Sequence, residues 1–174
     1  PSTLLKKDCA DDPDFMGNYT NQSTSAALLQ ATTLGDELKI FFGGKSLVYA
    51  VAPEREEAVM AAGHAADGAF WLNVENGMWC GTTYYGTFPY FVSAFNMQEG
   101  VDSRGDSLVW KPSRPVSDYK YVYSGSEPYA FEYGFAAGEG RYRRLKTSPL
   151  VNSEINRLLF RSFNLSELGR DDIP

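Results

Sequence analysis

Gly63-His64-Ala65-Ala66-Asp67-Gly68-Ala69-Phe70-Trp71, followed after a polar break by Met78-Trp79-Cys80-Gly81-Thr82-Thr83-Tyr84-Tyr85, is the stretch whose reading decides the architecture. Ala69 to Leu72 and Met78 to Tyr85 have the length and apolar content of strands. Glu75-Asn76-Gly77 between them is a hairpin signal, because Asn and Gly accept the positive φ of a tight turn. Upstream, Ser46-Leu47-Val48-Tyr49-Ala50-Val51-Ala52 is a near-continuous apolar run, expected to be a strand buried on both faces. Pro53 suits a first helical position, and Glu54, Glu56 and Glu57 fall where a helix dipole favours anions. Gly63 stands where that helix should end. A buried strand followed at once by a short helix is an α/β unit.

Further out the signals thin. Ala27, Ala31, Leu34 and Leu38 recur at helical spacing, which predicts a helix running to about Phe41, with Thr24 or Ser25 as N-cap and Gly43-Gly44 as its stop. Residues before it read as loop, with one short strand near Leu4-Leu5. Pro89 to Asn96 should be a short helix burying Phe91, Val92 and Phe95. Val151, Ile155, Leu158, Leu159 and Ser162 mark an amphipathic helix near the end of the chain. Residues 98–149 are rich in Gly, Ser, Pro and Tyr and read as an irregular insertion or cap over a site. The whole of 1–174 is expected to be one domain, an excised central part of a larger enzyme whose last residues are about to enter another strand.

With 43% apolar and 22% charged residues the chain has the composition of a globular domain. A net charge of −6 argues against a nucleic-acid scaffold, which needs a basic face. The basic cluster Arg141, Arg143, Arg144 and Lys146 reads as a solvated turn rather than a phosphate grip. No apolar run approaches the roughly 18 residues of a membrane span. Cys9 and Cys80 lack metal-ligand spacing; they form one disulfide in an oxidising compartment or remain two buried thiols.

The 63–85 stretch resembles an internal segment of the alkaline phosphatase superfamily, in the branch of nucleotide pyrophosphatases/phosphodiesterases and periplasmic alkaline phosphatases. Matching patterns recur in order at Thr33-Leu34-Gly35-Asp36-Glu37-Leu38-Lys39, Lys45 to Tyr49, Phe88 to Asn96, Trp110-Lys111-Pro112 and Lys146 to Asn152. The resemblance implies a partial α/β core with flanking helices, a β-hairpin and the irregular cap. It also implies a periplasmic or secreted bacterial parent that hydrolyses a phosphate ester at two Zn²⁺ ions with a Thr or Ser nucleophile. In the family those groups lie upstream and downstream of the matched segment, so no nucleophile and no metal ligand is assigned to any residue here.

Coordination chemistry leads to the same place. Two divalent ions about 4 Å apart need many donors, and zinc draws them mainly from His, Cys and carboxylates. The chain has one histidine, His64, and two distant cysteines. His64 is expected to cap the end of the preceding helix; Phe70, Trp71 and Trp79 are expected in the core, and Tyr84 and Tyr85 at a pocket mouth. Many members of the family carry a Lys and an Arg two residues apart at the start of the helix after the buried strand, where both reach the substrate phosphate. Here the matching positions are Glu54 and Glu56, which would repel a phosphate dianion. Arg55, between them, is the one substrate-binding candidate. The isolated chain is expected to be inactive, a pocket-shaping piece of a metal-dependent phosphohydrolase. The alternative is a non-catalytic module that binds a sugar, peptide or protein through the aromatic-rich 110–135 region.

Overall fold

The computed structural model describes residues 8–104, 107–119 and 130–173; the strand expected near Leu4-Leu5 lies outside them. Four strands, β1 (Gly17–Asn18), β2 (Tyr49–Ala52), β3 (Gly68–Leu72) and β4 (Trp79–Thr82), form one mixed sheet in the order β1-β4-β3-β2. β2 and β3 run parallel, joined through helix α2 (Arg55–Ala62), as the α/β unit requires. β3 and β4 are the expected antiparallel hairpin, and its turn passes through Gly77 at φ +68°. A β-carbon at Gly77 would meet the Tyr142 ring, so the turn and the packing both need glycine there.

All five residues of β3 are buried, and their alternation divides the interior in two. Phe70 and Leu72 join Trp79 on one face, against Phe91, Val92 and Phe95 of α3 (Tyr90–Gln98) and Val151 and Leu158 of α6 (Leu150–Leu165). Ala69, Trp71 and Cys80 point the other way, against Ala58, Val59 and Ala62 of α2 and against Ala10 and Ala26. Small side chains on that second face let the helix approach the sheet closely. Burying Phe70, Leu72 and Phe95 contributes about 1.5–3 kcal/mol each. Asn96, also buried, accepts from the Trp79 N–H at 2.9 Å and donates to the Trp79 carbonyl at 2.8 Å.

Several sequence expectations need correction. The strand around Ser46–Ala52 is four residues long, lies at the sheet edge and is only half-buried apart from Ala50; the strands buried on both faces are β3 and β4. The helix expected from Ala27 is confined to α1 (Leu34–Phe41) and begins at Thr33, not at Thr24 or Ser25. Those two hydroxyl residues are consumed elsewhere: the Ser25 hydroxyl donates to Asp12 at 2.6 Å, and Thr82 donates to the Thr24 carbonyl. Thr33 and Asp36 instead form a capping box, which fixes the helix start where the backbone donors are satisfied. Pro53 lies just outside α2, whose N-cap is Glu54. Residues 83–85 form a 3₁₀ turn rather than the end of a strand.

The stretch 98–149 contains α4 (Val101–Arg104), a ribbon of β5 (Val109–Trp110) with β6 (Tyr133–Gly134), and α5 (Arg141–Lys146). The basic cluster is therefore a helix, not a solvated turn. Arg141 is buried against Asp102 at 3.0 Å, because Leu145 of the same helix enters the core and draws Arg141 inward one turn earlier. Glu154, fully buried in α6, is paired with Arg104. No helix among the described residues is long and apolar enough to cross a membrane.

Candidate functional site

β2 and β3 lie side by side, and both deliver their carboxyl ends to one place. After Ala52 the chain turns through Pro53 into Glu54, Arg55 and Glu56; after Leu72 it continues as Asn73, Val74 and Glu75. These residues form two walls of a cleft of about 440 Å³. Thr20, Asn21 and Gln22 make a third wall, and Arg143, Lys146 and Thr147 of the α5 region a fourth. Ligands of open α/β sheets bind outside the carboxyl ends of strands, so the topology places this cleft where a site belongs.

The loop wall is held by amides. Tyr19 sits at φ +60°, a left-handed conformation that costs a bulky residue on the order of 1–2 kcal/mol. Its carbonyl accepts from Asn73 Nδ2 at 2.9 Å and Asn76 Nδ2 at 3.2 Å, which ties the loop to the hairpin turn. Sequence reading marked Asn76 only as a turn residue and missed Asn73. Nothing local announces their reach to a backbone more than fifty residues away.

Arg55, the substrate-binding candidate, lines the cleft but is enclosed by acids. Its guanidinium donates to Asp11 at 2.7 Å, to Glu56 at 2.9 Å and to Asp8, and its side chain is 7% exposed. Burial would lower its pKa, but the bonds to Glu56 and Asp11 and the surrounding negative charge raise it. Burial would likewise raise the Asp8 carboxyl; the Ala10 N–H and Arg55 outweigh that and hold it low. Glu54 is ion-paired with Lys146 at 2.7 Å. Glu75 and Arg143 have no side-chain partner among the described residues. Trp71 also lines the cleft, 1% exposed, and its indole N–H has no acceptor among the described residues.

A second ionic cluster lies at the other end of α2. Asp36, 3% exposed, accepts from the Thr33 N–H at 2.9 Å and from the His64 and Ala65 N–H groups at 2.8 Å each. Burial would raise its pKa; the Thr33 and Ala65 donors, with the His64 ring and N–H, bring it below the ordinary value. The His64 ring does not cap α2 as expected. It faces Asp36 at 3.4 Å and the Leu29 carbonyl at 3.2 Å, tying α2 to the segment before α1. The side chains of Thr33 and Asp36 occupy the space of a Gly63 β-carbon, and Gly63 has φ +78°. Thr33 and Asp36, three apart, were the available sequence signal for this cluster.

The remaining candidates are structural. Phe70, Trp71 and Trp79 are core residues. Tyr85 donates to the Gly63 carbonyl at 2.8 Å, and Tyr84 packs edge-on against Phe15. Cys9 is exposed and Cys80 buried, and they are not bonded. In the aromatic region Trp110 packs with Phe131 at 5.0 Å and Tyr133 at 5.6 Å, while residues 120–129 of that region lie outside the described ones.

No family model matches the chain. It is 27% identical over 125 residues to the alkaline phosphatase PhoV of Synechococcus elongatus, covering 70% of this chain and 22% of that protein. It is 26% identical over 160 residues to a protein named calcium-transporting ATPase from Myroides odoratus, covering 83% and 29%. The alkaline phosphatase PafA of Elizabethkingia meningoseptica is 23% identical over 158 residues, again covering 83% and 29%. A crystal structure of wild-type alkaline phosphatase PafA superposes with a TM-score of 0.73 at 21% identity, covering 95% of this chain and 35% of that one. A PafA variant with a Thr, an Asn, a Lys and an Arg substituted gives 0.71 at 19% identity, with the same coverage. The chain has the fold of alkaline phosphatase PafA and is similar in sequence to alkaline phosphatases over most of its length. It spans less than a third of the length of these curated relatives. Alkaline phosphatases as relatives do not favour the binding-module alternative over a phosphohydrolase.

A two-metal centre does not fit the donors present. Among the described residues no group of three or more His, Cys, Asp or Glu side chains is placed to hold a metal ion. The ring nitrogens of His64 are engaged, and burial raises the Cys80 thiol pKa far above the range where a thiolate ligand forms.

Proposed function

We propose that this chain is the pocket-shaping part of a metal-dependent phosphohydrolase, of alkaline phosphatase or nucleotide pyrophosphatase/phosphodiesterase type. The single observation that carries the reading is the cleft at the carboxyl ends of two parallel strands, in a chain with the alkaline phosphatase fold. The nucleophile and two Zn²⁺ ions are assigned to polypeptide outside these 174 residues, as the coverage of the relatives suggests. Zinc bound there would activate the nucleophile and offset charge on the transferring phosphoryl group. The residues of this chain bind and orient the ester: the 54–56 and 73–75 segments shape the walls, and Asn73 and Asn76 set the 20–22 loop. In this reading Arg55 holds Asp8, Asp11 and Glu56 in place and borders the substrate as part of that charged wall. Relatives named as alkaline phosphatases also support a periplasmic or secreted location.

Zinc titration and ester hydrolysis, measured on the longest polypeptide that contains this chain and on the chain by itself, test the reading. The long polypeptide should take up two zinc ions and release phosphate, and the 174-residue chain should do neither. Two retained ions with turnover in the isolated chain would overturn the assignment, as would a long polypeptide that hydrolyses no phosphate ester.

A further inference from the structure

Seven charged side chains reach the cleft, and all but two are neutralised inside it. Arg55 is committed to Asp8, Asp11 and Glu56, and Lys146 to Glu54; Glu75 and Arg143 are left over. Arg143 and Lys146 are three apart on α5 and therefore share one helix face. Their neighbours on the helix turn elsewhere, Arg141 to Asp102 at 3.0 Å and Arg144 to the Glu139 carbonyl at 2.7 Å.

We propose that this face of α5, Arg143 with Lys146, is the anion-recognition edge of the cleft, and that Glu54 is an internal counter-ion which holds Lys146 back. The proposal rests on the phosphohydrolase reading and deepens it by naming the bases that meet a phosphate oxyanion. Arg143 is exposed and has no side-chain partner among the described residues, and its planar fork matches two phosphate oxygens at once. Lys146 is 10% exposed while its partner Glu54 is 51% exposed. The carboxylate can therefore turn to water as an anion arrives, and the ammonium keeps its place in the wall. The buried indole N–H of Trp71 on the same lining adds a donor that lacks an acceptor among the described residues. The cleft thus regains, from a helix almost ninety residues downstream, positive charge at the head of α2 where the sequence supplies Glu54 and Glu56.

The test is titration of inorganic phosphate into the 174-residue chain at low ionic strength, followed by calorimetry or amide chemical shifts. Saturable, salt-sensitive binding is expected. Arg143→Ala should weaken it roughly fivefold, the scale of one charge-assisted contact at a partly exposed site. Glu54→Gln should tighten it by a similar factor, because Lys146 is released, and the double change with Lys146→Ala should abolish that gain. Arg170→Ala, an exposed base outside the cleft, should change nothing. Arg143 makes no side-chain contact that folding needs, so its variant stays informative if the Glu54 variant misfolds. Absence of binding, or binding indifferent to Arg143→Ala, overturns the proposal. Phosphate that binds and responds to these variants, in a protein whose longer form hydrolyses no ester, removes the hydrolase reading and leaves the edge standing. Turnover with a KM unmoved by Arg143→Ala does the reverse.

Discussion

The two ends of α2 carry similar charged clusters arranged to opposite effect. At its C-terminal end one carboxylate, Asp36, is surrounded by backbone N–H donors from two segments, and nothing is left over. At its N-terminal end the charges face one another as side chains around a cleft, and two of opposite sign remain open. Backbone donors are fixed in space, so a carboxylate they surround is a rivet. Long side chains paired at a cavity can exchange partners, so the same kind of chemistry there is available to a ligand.

If that contrast is right, the rivet should be the costlier one to break. Asp36→Ala leaves the Thr33, His64 and Ala65 N–H groups without their acceptor, and stability should fall by about 3–5 kcal/mol. Urea unfolding midpoints measure this directly, and a loss below 1 kcal/mol would mean that water replaces the carboxylate. Acid should reach the same cluster more gently. The folded pKa of Asp36 lies below its ordinary 3.8, so its contribution is complete above that value and is lost as pH falls through the folded pKa. Thermal unfolding from pH 6 down to pH 2 should therefore slope less steeply in Asp36→Asn than in the parent chain.

The cleft end sharpens the comparison with smaller numbers. Arg55→Ala strands Asp8, Asp11 and Glu56, but all three are a third exposed or more, so screening limits the cost to about 1–2 kcal/mol. A loss as large as that of Asp36→Ala would make Arg55 a second rivet and close the cleft as a site. Smallest of all, Glu54→Gln should change the unfolding free energy by less than about 0.5 kcal/mol, since it removes one half-exposed ion pair. Its effect belongs in anion binding, and a large stability change would mark the pair as structural.

Much of the frame was readable from local pattern. The 68–82 hairpin follows from two strand-length apolar runs around Asn76-Gly77, the helix after Pro53 from its proline, acidic first turn and Gly63, and the closing helix from a 3.6-residue period, all properties of neighbouring residues. The site was less legible. Arg55 was identified by position, but its three carboxylate partners come partly from Asp8 and Asp11, more than forty residues away. Arg143 and Lys146 read as a solvated turn because four bases in six residues resemble any charged surface. Only docking of Leu145 in the core turns two of them into the cleft and Arg141 away from it.

By itself, then, the order of residues determined the 68–82 hairpin, the helix after Pro53 and the closing helix, which superfamily the chain resembles, and that one histidine and two distant cysteines are its whole stock of nitrogen and sulfur zinc donors. Those follow from short-range sterics, hydrophobic periodicity and the inventory of side-chain chemistry, none of which depends on distant neighbours. Tertiary structure alone decided that β2 is an edge, that Asp36 fastens one end of α2, and that bases from α5 meet the acids at the other. Each of these is a contact between segments far apart in the chain, selected by what the core can bury.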